Sequence, residues 1–230
     1  MDTLGLAPAF GKSLLFALAT MLPIVNPLAI APIFVDLTEG MSRSGRAALS
    51  LRVGRNVVIL LTCAMLVGIY VLRFFGISMP VVRIGGGLIV ATVAWPLLTT
   101  HSPTSSDKEQ IAQKLTDEDA RMRAFYPLTF PLACGPGTIA VAIALGASLH
   151  GKRAWQLSAA SITGGLLAMA LVGALAALTF RFAEPLLVRF GHTGRVVLVR
   201  LMAFLLLCIG IEIIWEGMRD LLLELPVLGG

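Results

Sequence analysis

The sequence predicts an all-α polytopic membrane protein with six transmembrane helices, and three observations predict it. The 230 residues are 57% hydrophobic and 13% charged, against about 25% charged in an ordinary soluble domain. Apolar runs of about 20 residues, the length that crosses roughly 30 Å of hydrocarbon as a helix, recur along the chain. Short basic links separate them, which is how a cytoplasmic membrane protein keeps Lys and Arg on its inner side. A water-soluble chain could not cover so much apolar surface with polar groups. The formal charge of +5 would suggest a nucleic-acid partner in a soluble protein. Here the basic residues flank apolar runs, so the implied partner is membrane lipid and not nucleic acid.

The first segment runs from about Leu14 to Leu37 and is interrupted by Pro23, Pro27 and Pro32. Its flank carries only Lys12 and equally apolar segments follow, so it reads as a retained helix and not a cleaved signal. A basic link with Arg43, Arg46, Arg52 and Arg55 leads to segment two, about Val57 to Phe75. Segment three, about Val81 to Leu98, follows a turn at Gly76 and Pro80. The stretch from about 100 to 124 is the long polar one, and Thr116 is a helix start signal within it.

Segment four, about Tyr126 to Leu149, is broken again, by Pro127, Pro131 and Pro136 with Gly135 and Gly137. Segment five runs from about Trp155 to Phe180. After a link with Arg181, Arg189 and Arg195, segment six runs from about Val196 to Trp215 or Leu223. With both termini outside, the inner links hold eleven Lys or Arg and the outer side six. That asymmetry sets the expected orientation.

A single transmembrane domain therefore fills residues 1–230, as a first repeat of about 12–99, the central link, and a second repeat of about 125–223. "LPIVNPL" and "VRIGGGLIV" in the first half echo "FPLACGPG" and "VRLMAFLLL" in the second. Three spans per half force opposite orientations, giving a 3+3 inverted-topology repeat with helices 1 and 4 broken at their Pro motifs.

"PIVNPLAIAP" (23–32) is the sharpest feature. Pro27 has no amide hydrogen and its ring clashes with the preceding turn, so carbonyls near Pro23 and Ile24 lose helical partners. Such backbone is tolerated at membrane depth when it is buried in protein or lines a polar cavity. Asn26 adds donors and an acceptor there, and the new half-helix start favours an anionic group. "PLACGPGTIA" (131–140) has the same physics, with Gly135 and Gly137 allowing close approach beside Pro136 and Thr138 offering a hydroxyl. Asn26, Pro27, Gly135, Pro136, Gly137 and Thr138 are thus the candidate substrate-binding residues. The plainer alternative is a proline kink with Asn26 bonded to a neighbouring helix.

Glu212 and Glu216 sit one turn apart beside Trp215 and are candidates for ion or proton coupling. The alternative puts both at the outer interface, with Trp215 as a belt anchor. Arg83 and Arg200 read as interface anchors. Gly85, Gly86 and Gly87, and the small residues of segment five, read as helix-packing surfaces. Cys63, Cys134 and Cys208 are far apart in apolar segments and read as small buried hydrophobes, with no disulfide framework. His101, His150 and His192 fall in links. No metal site, cofactor or catalytic set is visible, so an enzyme is not expected.

"LPIVNPLAIAPIFVDLT" (22–38), "RIGGGLIVATVAW" (83–95) and "FPLACGPGTIAVAI" (130–143) resemble the MarC family of bacterial inner-membrane proteins over nearly the whole chain. The family is distantly similar to amino-acid exporters of the LysE type. The resemblance implies six spans in the bacterial inner membrane and a substrate site around Asn26, Pro27, Gly135, Pro136, Gly137 and Thr138. It also implies a small-molecule substrate of the neutral amino-acid kind. "GIEIIWEGM" (210–218) departs from the familiar pattern, with Glu212 and Glu216 where Gln and Asn are expected.

The resulting expectation is a secondary transporter of small neutral amino acids or similar metabolites. Two other classes stay open. A passive small-solute channel is echoed by "NPL" but lacks a second asparagine and an adjacent arginine filter. A non-transporting scaffold or accessory protein would leave no cavity reaching the midplane. A homo-oligomer is compatible with all three.

Overall fold

A computed structural model describes residues 3–38, 40–99, 124–149 and 155–224. Expectations for His101, His150, Lys152, Arg153 and a helix from Thr116 lie outside the described residues. The described residues are helical, with no strand among them. In chain order the helices are α1 (Thr3–Val25), α2 (Pro27–Leu37), α3 (Arg43–Phe74), α4 (Met79–Thr99), the irregular α5 (Ala124–Ala133), α6 (Pro136–Leu149), α7 (Trp155–Arg181) and α8 (Ala183–Glu224). Five stretches are long and apolar enough to cross a membrane, and α5 with α6, bent by 71°, makes a sixth if counted as one span.

Several helices overrun the apolar segments that announce them. α3 begins at Arg43 and is 32 residues long, about 48 Å at 1.5 Å per residue, against roughly 30 Å of hydrocarbon. Its first turns carry the arginines that the sequence assigns to a link. The region before segment six is helical too, so His192 lies within α8, which is interrupted only by a left-handed residue at Gly191 (φ 62°). Hydropathy marks the part of a helix that lipid surrounds. It says nothing of how far the helix continues into water.

Helices pack in lipid without a hydrophobic force between them, so close backbone approach through small residues takes its place. The most extensive contact is α4 with α8, followed by α1 with α7, α3 with α7 and α3 with α6. At the α3–α7 crossing, a Cβ on Gly54 would lie 2.6 Å from the Gly173 carbonyl oxygen, and one on Gly173 2.7 Å from that of Gly54. Gly164 of α7 likewise meets the Phe10 carbonyl of α1. Gly86 and Gly87 of α4 and Gly164, Gly165 and Gly173 of α7 are packing positions, whereas Gly85 has open space beside it and is corrected to a non-packing position.

The core runs along these crossings. Met21, Val25, Ala31 and Phe34 of the first two helices share one buried cluster with Leu61 and Met65 of α3 and Met169, Val172 and Phe180 of α7. Phe34 and Phe180 stack with ring centroids 4.9 Å apart. Of the cysteines, Cys134 is buried, whereas Cys63 and Cys208 are exposed on the outside of the bundle. The expectation of three buried thiols is corrected for those two: an apolar segment in a membrane protein has a lipid face as well as a protein face.

Candidate functional site

α1 ends at Val25 and α2 starts at Pro27, leaving Asn26 between them at φ 43°. That left-handed conformation suits asparagine better than most residues. The Asn26 amide donates to the Leu22 carbonyl at 3.0 Å and closes α1. Its Oδ1 accepts from the Ala29 amide at 3.3 Å and caps α2. Pro27 then occupies the first helical position, where a missing N–H costs nothing. Asn26 and Pro27 are both buried. The asparagine oxygen thus serves its own chain and not a neighbouring helix.

The second break is more open. Tyr126 and Phe130 are extended within α5, as residues before proline tend to be. The Cys134 amide reaches the Thr129 carbonyl at 2.7 Å, and α6 restarts at Pro136, again a proline in the first turn. Gly137 and Thr138 are buried, Gly135 is half-buried and Pro136 is exposed. A Cβ on Gly137 would lie 3.0 Å from the Gly86 carbonyl oxygen and 2.5 Å from the Val90 side chain. The absent side chain therefore admits the backbone of α4.

A cavity of about 80 Å³ lies between α1, α4, α6 and α8, one to two turns from both breaks toward the end that carries both terminal helix ends. Its polar lining comes from Thr20, Arg83, Ser148 and Glu216. Thus the structure brings Glu216 to a cavity and not Glu212, which is exposed on the same helix. None of Asn26, Pro27, Gly135, Pro136, Gly137 and Thr138 lines it. Arg83 is half-buried and pairs with Asp220 of α8, so it is a cavity residue and not a free anchor. Sequence reasoning missed it because the pairing joins positions 137 apart.

A second ion pair, Arg46 with Glu184, joins α3 to α8 at the opposite end of the bundle. Arg46 also donates to the Thr38 carbonyl at 3.2 Å, just past the end of α2. Its Nε is buried, with no hydrogen-bond partner among the described residues. Among the described residues no three metal-ligating side chains come together.

A model of the MarC family, described as MarC family integral membrane protein, matches residues 11–222. The UPF0056 inner membrane protein MarC of Escherichia coli strain UTI89 is 32% identical over 217 residues, covering 92% of this chain and 96% of the relative. Its counterparts in Escherichia coli K12 and Shigella flexneri are 31% identical over the same spans. No solved structure matches this chain.

Proposed function

From its place in the MarC family of integral membrane proteins, to which this chain belongs, we propose that it is a secondary transporter of small neutral amino acids or similar small metabolites. The name of its relatives supports a bacterial inner membrane, and the charge asymmetry supports both termini outside. The observation that carries the proposal is the cavity bounded by α1 and α4 of the first half and α6 and α8 of the second. It lies on one side of two helix breaks that share a proline in the first turn. A volume of about 80 Å³ is far below the roughly 300 to 1,000 Å³ of drug-sized sites. The substrate is accordingly small.

The inverted repeat is part of the same proposal. Corresponding helices of the two halves, α3 with α7 and α4 with α8, cross at paired glycines, an arrangement compatible with a two-fold axis in the membrane plane. Two ion pairs link the halves at opposite ends, Arg46 with Glu184 and Arg83 with Asp220. Rocking one half against the other opens one end while the opposite pair holds the other closed. Glu216 is the coupling carboxylate in this reading, since it faces the cavity beside Arg83. Asn26, Gly135 and Thr138 form the second layer, reached when the cavity extends to the breaks. A non-transporting scaffold is the second reading, favoured by the cavity stopping short of both breaks.

The test is uptake and counterflow of labelled alanine, glycine and serine into proteoliposomes, with and without proton or sodium gradients. Flux that depends on substrate and loses its gradient dependence in Glu216→Gln supports the proposal. Folded native protein without flux of any of the three sinks it and leaves the scaffold.

A further inference from the structure

At the opposite end from the small cavity, α3 and α5 flank a larger, half-open basic one. Arg52, Arg55 and Asn56 of α3 face Ala124 and Phe125 of α5 around about 520 Å³. Among the described residues no acid lines this space and neither arginine forms an ion pair. The depth of the site follows from α3 itself. Beyond Arg55 the next charge is Arg73, and the 17 uncharged residues from Asn56 to Leu72 rise about 25 Å. That nearly matches the hydrocarbon thickness, so Arg55 stands at a membrane interface. Phe125 and Tyr126, exposed beside it, are aromatics of the kind that settle at headgroup level.

The outward face of α3 continues the site. Ile59, Cys63, Val67 and Tyr70 are exposed and follow Arg55 at helical spacing, forming an apolar stripe that starts at the arginine. We propose that this cavity binds the phosphate of an anionic phospholipid headgroup from the adjoining leaflet. Arg52 and Arg55 meet the phosphate, for which the planar guanidinium fork is suited. Asn56 meets the headgroup's hydroxyl or ester oxygens, and an acyl chain follows Ile59, Cys63 and Val67. A soluble phosphate would find the same arginines and gain nothing from the stripe, which is why the lipid is the favoured source.

Native mass spectrometry of the whole chain in mild detergent tests this. Phosphatidylglycerol, phosphatidylcholine with the same chains, and glycerol phosphate are added in parallel. The expected result is retained phosphatidylglycerol, little phosphatidylcholine, and no displacement by millimolar glycerol phosphate. Arg52→Gln/Arg55→Gln lowers phosphatidylglycerol occupancy by about 30-fold, since each arginine near an anionic surface contributes about one factor of five. Arg73→Gln, at the far end of α3, leaves it unchanged. Equal retention of the two lipids overturns the proposal, and this arm needs only the native protein. Displacement by glycerol phosphate, or full retention by a monodisperse double variant, overturns it as well.

Discussion

Gly87 and Gly210 face each other where α4 crosses α8, so closely that a Cβ on Gly87 would lie 2.6 Å from the Gly210 carbonyl oxygen, and one on Gly210 3.0 Å from that of Gly87. A backbone oxygen cannot swing aside as a side-chain tip can. Gly210→Val is therefore expected to destabilise the fold by about 1–3 kcal/mol through overpacking, read as a loss in unfolding free energy in mixed micelles. Gly85 supplies the control from the same run, because nothing lies within 4 Å of a Cβ there. Gly85→Ala is expected to be neutral or slightly stabilising. Equal losses at both positions would show that the crossing is looser than its geometry.

Asn26 combines two separable roles. Its left-handed backbone, φ 43°, favours Asn or Gly, and its Oδ1 caps α2. Asn26→Ala loses both and is expected to cost about 2 kcal/mol, whereas Asn26→Gly keeps the conformation and costs a few tenths. If the amide also contacts substrate, Asn26→Gly folds normally and still loses uptake. Stable protein with unimpaired flux in Asn26→Gly would assign the residue to the break alone.

How far the sequence revealed these features depends on whether the cause is local. Pro27 and Pro136 mark helix starts through their own missing amides, and Gly164 and Gly173 announce packing through size. Both could be read from the chain. The partner of a close approach could not: Gly173 meets Gly54, and nothing near either residue names the other. Arg83 looked like an anchor because its partner Asp220 lies on another helix. The Asn-Pro and Gly-Pro motifs were legible as irregular backbone, yet the cavity sits a turn or two away, among Thr20, Ala140 and Ser148, which carry no signal.

The three thiols divide by face. Cys63 and Cys208 are exposed on the outside of the bundle and Cys134 is buried, so a lipid-soluble, photoactivated carbene reagent, which needs no thiolate, is expected to label the first two in native membranes. Cys134 should react only after unfolding. Rapid labelling of Cys134 in folded protein would mean that the second break opens to a water or lipid path. Mass spectrometry of cysteine-containing peptides distinguishes the three.

The two ion pairs make the last prediction, because each joins the halves at one end of the bundle. Glu184 and Asp220 are about half exposed, so each pair is worth about 0–1 kcal/mol and neither is needed for folding. Such a pair can still decide between two conformations of nearly equal energy: removing about 1 kcal/mol from one state changes their ratio about fivefold. Ser148 lines the cavity near Arg83, and Ser148→Cys, in a background lacking Cys63 and Cys208, reports its accessibility to a membrane-impermeant maleimide. Asp220→Asn releases the near end and is expected to raise the labelling rate about fivefold. Glu184→Gln releases the far end, shifts the population the other way and lowers it. Rocking couples the two ends, so opposite shifts are its signature. Shifts in the same direction would mean that each end frays independently, and alternating access through these pairs would have to be abandoned.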